Sequence, residues 1–111
     1  TYLTREPNVF KGDQSMFVQL TQDLERGFKP WKEMYFENEA ELNALGARLV
    51  FAGATKEDDN KMMVIIEFDS PEAMKAFATH EELRAKRAAA GAILESNVVT
   101  IMGDEAFTPG S

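Results

Sequence analysis

The chain has 111 residues, 44% of them hydrophobic and 28% charged, which suits one globular domain and is too short for two. Lys and Arg number 12 against 19 Asp and Glu, a formal charge of −7. That balance argues against nucleic acid or an anionic membrane as partner, because both need a positive footprint. There is no cysteine and a single histidine, His80, so disulfides, thiolate metal centres, a cysteine nucleophile and any site needing two imidazoles are excluded.

Residues 1–14 read as an N-terminal extension. Pro7, Asn8, Gly12 and Asp13 interrupt any period there, while Tyr2, Leu3, Val9 and Phe10 are apolar enough to dock. The stretch Thr1 to Pro7 lacks the charged and apolar segments of a signal peptide, and no run approaches the roughly 20 apolar residues of a membrane span. The expectation is a soluble, cytoplasmic protein with one domain over residues 15–103 and a tail over 104–111.

The first strand is expected at Ser15 to Thr21, where Met16, Val18 and Leu20 alternate with Phe17, Gln19 and Thr21. Phe28, Trp31, Tyr35, Leu42 and Leu45 then fall on one helical stripe. Pro30 is tolerated only in a first turn, so this helix begins near Gly27 to Lys29 and stops at Gly46. Asn38 with Glu41 resembles a capping box, which leaves open one bent helix or two short ones.

Ala47 to Ala54 and Lys61 to Phe68 read as a hairpin around the polar segment Thr55 to Lys61. The run Met62 to Ile66 is apolar on both faces and marks a central strand. Ser70, Pro71 and Glu72 supply a cap, a first-position proline and a first-turn acid for a helix whose buried stripe is Ala73, Met74, Phe77 and Ala78. A further helix from about Thr79 has Glu81 and Glu82 near its positive end and Gly91 after its last turn. Val98 to Met102 is the last strand. The order predicts an α+β, ferredoxin-like βαββαβ fold, with a four-stranded antiparallel sheet and helices on one face. The apolar residues left on the other face predict a homodimer that pairs two sheets.

Three segments carry a family resemblance: Leu45 to Gly53, Val64 to Ala73, and His80-Glu81-Glu82-Leu83. They resemble the dimeric α+β barrel superfamily, especially its uncharacterised small domains. Its relatives include cofactor-independent monooxygenases of antibiotic biosynthesis and muconolactone-type isomerases. The resemblance spans roughly residues 15–102 and implies a small-molecule site between sheet and helices, with no cofactor. It specifies fold more than chemistry.

His80 is the acid/base candidate, since imidazole titrates near physiological pH; as a lone histidine between two helical segments it reads equally as a cap or link. Glu67 is a possible polar partner in a pocket, or a carboxylate paired with Arg48 on the adjacent strand. Phe17, Trp31, Tyr35, Phe36, Phe51, Phe68 and Phe77 are the candidate lining of an apolar ligand pocket, with a solid core as the plainer alternative. Arg84, Lys86 and Arg87 read as a solvated helix face ahead of a carboxylate site. Glu57-Asp58-Asp59 reads as a soluble hairpin tip, because it lacks the glycine and spaced oxygens of a calcium loop. Phosphate-cradling loops, nucleophile elbows and zinc-ligand spacings are absent, so no metal or nucleotide cofactor is expected.

The first functional expectation is a homodimer binding a small, largely apolar ligand, lipid-like or aromatic, with or without a carboxylate. The second is a cofactor-independent monooxygenase or isomerase using His80. The third is an interaction protein with a filled core.

Overall fold

The structure, a computed structural model, describes residues 15–103. The N-terminal extension with Tyr2, Leu3, Val9 and Phe10, and the tail over 104–111, lie outside the described residues. The elements are β1 (Met16–Leu24), α1 (Phe28–Ala44), β2 (Ala47–Ala54), β3 (Lys61–Phe68), α2 (Pro71–Ala78), α3 (Glu81–Ala89) and β4 (Ala92–Ile101). The strands form one sheet in the order β2-β3-β1-β4, and every neighbouring pair is antiparallel. This is the ferredoxin-like βαββαβ arrangement, with α2 and α3 together making the second helical connection.

Strand alternation decides which side chains meet the helices. Val18, Leu20 and Leu24 of β1 and Met62, Val64, Ile66 and Phe68 of β3 are buried on one face, where they pack with Trp31, Tyr35 and Ala73. Full burial of a Val or Phe side chain contributes about 1.5–3 kcal/mol, so this layer supplies most of the drive to fold. Phe17, Met63, Ile65 and Glu67 point to the opposite, helix-free face and stay half-buried.

Two strands run longer than their hydrophobic pattern predicts. β1 continues to Leu24 because Gln22 takes a core-facing position opposite Met62 and is 2% exposed, so a polar residue hides the continuing alternation. β4 starts at Ala92, six residues before Val98, and its register against β1 shifts between Thr21 and Asp23. The polar stretch Glu95-Ser96-Asn97 occupies that irregularity. Ser96 Oγ accepts from the Asp23 amide at 2.8 Å and donates to the Ile93 carbonyl at 2.6 Å, taking over from the broken ladder.

α1 is one continuous helix. Asn38 does not start a second one: its amide donates to the Met34 carbonyl at 2.8 Å, and its Oδ1 accepts from Lys86 Nζ on α3 at 2.8 Å. α1 stops at Gly46, whose φ of +90° suits a residue without Cβ, and the Gly46 carbonyl then accepts from the Asp69 amide at 2.9 Å. α2 starts as the sequence predicts, with Ser70 Oγ accepting from the Ala73 amide at 3.1 Å and Pro71 in the first turn. No helix among the described residues is long and apolar enough to cross a membrane.

Candidate functional site

The space between helices and sheet divides in two. Under α1 lies a small apolar pocket of about 40 Å³, walled by Trp31, Met34, Tyr35, Leu49, Ile66, Phe77, Leu83 and Arg87 among others. It has room for a few water-sized groups and none for an aromatic ring, since a cavity that takes benzene measures about 150 Å³. Beyond it, between α2–α3 and strands β1 and β4, opens a cleft of about 200 Å³ lined by Phe68, Met74, Phe77, Arg84, Arg87, Val99 and Ile101 among others. Val99 and Ile101, from the last residues of β4, form part of its wall. Val99 and Ile101 belong to the helix-facing side of the sheet by register with Leu20 and Val18, yet they are 50% and 53% exposed. A third, shallow groove between α1 and α3 has a polar wall of Glu33, Glu37, Asn38 and Lys86.

The aromatic residues singled out in the sequence separate by face. Trp31, Tyr35 and Phe77 line the small pocket under α1, and Phe68 and Phe77 line the cleft with ring centroids 5.6 Å apart. Phe28, Trp31 and Tyr35 stack along α1 at 5.8 and 6.1 Å. Phe36, next to Tyr35 in sequence, turns outward and is 61% exposed. Phe17 and Phe51 lie on the helix-free face, because their register partners Glu67 and Ile65 do. The structure therefore does not bring Phe17, Phe36 and Phe51 to either cavity. One-residue alternation in a strand and a 100° step in a helix separate neighbours that composition alone groups together.

The Tyr35 hydroxyl donates to Glu39 Oε2 at 3.1 Å. Burial, and then the bond to the Glu39 carboxylate, push its pKa up to about 12, so it is a neutral phenol near neutral pH. Trp31 Nε1 is buried without a hydrogen-bond acceptor among the described residues.

His80 sits where α2 hands over to α3. Its Nδ1 accepts from the Leu83 amide at 3.2 Å, capping α3, and its Nε2 faces Glu41 Oε2 at 3.5 Å. Neither cavity under the helices includes His80 in its lining. Glu41, His80 and Glu82 bring three donor atoms within 4.8 Å of one another. With Nδ1 accepting from Leu83, the neutral ring carries its proton on Nε2, which leaves no imidazole lone pair for a cation. Lys86 Nζ, 3.5 Å from Glu41 Oε1, already supplies positive charge there.

Glu67 and Arg48 pair across β2 and β3 on the helix-free face at 3.5 Å, and Arg48 Nη2 meets Asp69 Oδ1 at 2.6 Å. The bond to Asp69 is the main cause that pushes the Arg48 pKa up. Neither Arg48 nor Glu67 lines the two cavities under the helices.

The basic cluster on α3 splits in a way the charge pattern does not reveal. Arg84 is exposed and Lys86 bonds Asn38, but Arg87 turns inward and is 9% exposed. Arg87 shares the inner face of α3 with Leu83, one turn earlier, which is buried as well. The 83, 87 spacing is the one sequence signal that could have marked it.

No protein-family model matches the chain, and a comparison with curated proteins finds no match. Solved structures do match. SnoaB, a cofactor-independent oxygenase from Streptomyces nogalater, aligns with a TM-score of 0.61 at 12% identity over 86% of this chain and 98% of that one. An antibiotic biosynthesis monooxygenase-like protein from Nitrosomonas europaea aligns at 0.60 with 12% identity, over 88% and 95% of the two chains. An uncharacterized NIPSNAP-like domain protein from Burkholderia xenovorans aligns at 0.59 with 11% identity, over 86% and 90%. The chain has the fold of antibiotic biosynthesis monooxygenase-like α+β proteins. At such identities the likeness is one of fold, consistent with the dimeric α+β barrel resemblance of the sequence.

Proposed function

We propose that this protein binds a small, largely apolar ligand in the cleft between β4 and the α2–α3 pair, and works as a homodimer. The observation that carries the reading is the cleft of about 200 Å³ on the core side of the sheet, lined by Phe68, Met74 and Phe77, where Val99 and Ile101 stay half-exposed among the described residues. Leaving that surface to water costs about 25 cal/mol per Å², and an apolar guest removes the cost. The opening takes a single ring or a short acyl chain, and the adjustable Met74 suits guests of varied outline.

The test is calorimetric titration with octanol, a neutral guest of that size, together with native mass spectrometry of the freshly purified protein. Saturable binding is expected, with an Ile101→Trp variant, which fills the cleft mouth, losing about tenfold or more in affinity. Wild-type protein that takes up neither octanol nor octanoate overturns the reading and leaves an interaction protein.

The alternative, a cofactor-independent monooxygenase or isomerase with His80 as acid/base, draws support from the activity named for SnoaB. The capping geometry of His80 and its place outside both cavities favour binding over that catalysis.

A further inference from the structure

Arg87 lines both the small pocket under α1 and the cleft. At 9% exposure it is a guanidinium taken almost wholly out of water. Its Nε has no acceptor, and no carboxylate stands within ion-pair distance of it, among the described residues. What it does have is the Phe77 ring, 5.0 Å from the guanidinium carbon. A cation over an aromatic face recovers only part of the cost of desolvating the charge. The other charged group in the cleft, Arg84, has the same sign. Burial, and then Arg84, push the Arg87 pKa down from its ordinary value, both because the positive form lacks compensation.

Buried charges in proteins are as a rule paired, and the unpaired one here faces a cleft whose remaining wall is mostly apolar. An anion arriving from that cleft would meet a preformed, planar donor fork at its inner end and apolar surface along the rest. A carboxylate matches the fork with two parallel hydrogen bonds and balances one buried cation. A phosphate dianion brings more charge than one buried guanidinium neutralises, into a protein of net charge −7. Trp31 Nε1, another buried donor without an acceptor among the described residues, belongs to the pocket under α1 that Arg87 also lines. At about 200 Å³ the cleft exceeds what benzene needs and falls short of a drug-sized site.

We infer that the Arg87 guanidinium anchors the carboxylate of an apolar monocarboxylic acid whose single ring or short acyl chain lies in the cleft between α2–α3 and β4. The inference rests on the ligand-binding reading above and adds to it the class of ligand and the residue that selects it. Phe77 serves twice, stacking under the cation and forming the wall along which the apolar body lies.

The experiment compares octanoate, octanol and octylamine by calorimetric titration of the full chain. Octanoate is expected to bind about tenfold or more tightly than octanol, as a charge-assisted, desolvated hydrogen-bond pair gives, and octylamine more weakly than either. An Arg87→Met variant keeps the length and apolar stem of the side chain. It is expected to lose the preference for octanoate over octanol. Equal affinities of the wild type for octanoate and octanol overturn the inference and leave the binding reading intact. Binding of neither removes both. Should circular dichroism show Arg87→Met unfolded, the Arg87 Nε–H resonance of nitrogen-labelled wild-type protein decides. A saturable shift on adding octanoate supports the anchor, and an unmoved resonance overturns it.

Discussion

Imidazole Nδ1 can accept a hydrogen bond or carry a proton, and at His80 it accepts one from the Leu83 amide at 3.2 Å. That single bond ties the residue to the start of α3. An asparagine side chain can offer the same acceptor and is among the best capping residues, so His80→Asn is expected to match wild-type stability within about 0.5 kcal/mol. His80→Ala loses the acceptor and is expected to cost about 1 kcal/mol by urea unfolding. Both variants should bind octanol like the wild type. Loss of binding in the well-folded asparagine variant would return His80 to the site and favour the enzymatic alternative. Arg87 shows the opposite lesson. Its sequence neighbours Arg84 and Lys86 meet solvent or a polar partner, and only the direction of one helical step puts the third cation inside.

At the scale of elements, α1 shows how a helix can borrow its cap. Gly27 has no side chain to offer, and the first turn carries no acid. The donors are met instead by the β2–β3 hairpin: Asn60 Oδ1 accepts from the Gly27 amide at 2.7 Å, and Asp59 Oδ2 accepts from the Phe28 amide at 3.0 Å. The acidic tip that reads in sequence as a solubilising loop is thus also the cap of a distant helix, with a carboxylate at its positive end. Asp59→Ala is expected to cost about 1 kcal/mol in chemical denaturation. Gly27→Ala should cost more, about 1–3 kcal/mol, because φ is +85° there and a Cβ would run into Asp59. An Asp59→Ala variant as stable as wild type would show the loop to be free of that role. Periodicity could not reveal this contact, since the partners are 31 residues apart.

For the molecule as a whole, the sheet has two unlike faces. One carries the helices and the core; the other holds Phe17, Met63 and Ile65 half-buried and leaves Phe51 and Val98 51% and 60% exposed. Exposed apolar surface in a contiguous patch marks an association site in soluble proteins. Among its charged members, Arg48 is paired with both Glu67 and Asp69, and Lys61 with Asp23. We expect a dimer by sedimentation velocity. A Phe51→Asp substitution on this face should yield a folded monomer with an unchanged circular dichroism spectrum. Wild-type protein that sediments as a monomer across the micromolar range would sink face-to-face pairing and leave the cleft reading standing, because the cleft lies on the other side of the sheet.

Alternation in the strands, the spacing of Phe28, Trp31 and Tyr35, and the Ser70-Pro71 start signal were enough to determine element order, and with it the α+β fold. These are local properties, set by the period of the backbone and by which side chains water rejects. The ends of β1 and β4 escaped because Gln22 and Ser96 are polar residues serving strand geometry, a use that hydrophobicity does not report. Site composition was legible only in part. Trp31, Tyr35, Phe68 and Phe77 do lie on the helix side of the sheet, while Phe17, Phe36 and Phe51 turn elsewhere. Only the tertiary structure decided that a cleft lies between α2–α3 and the half-exposed end of β4, and that Arg87 faces it without a carboxylate among the described residues. Both depend on where separately formed elements stop against one another, and no single segment contains that information.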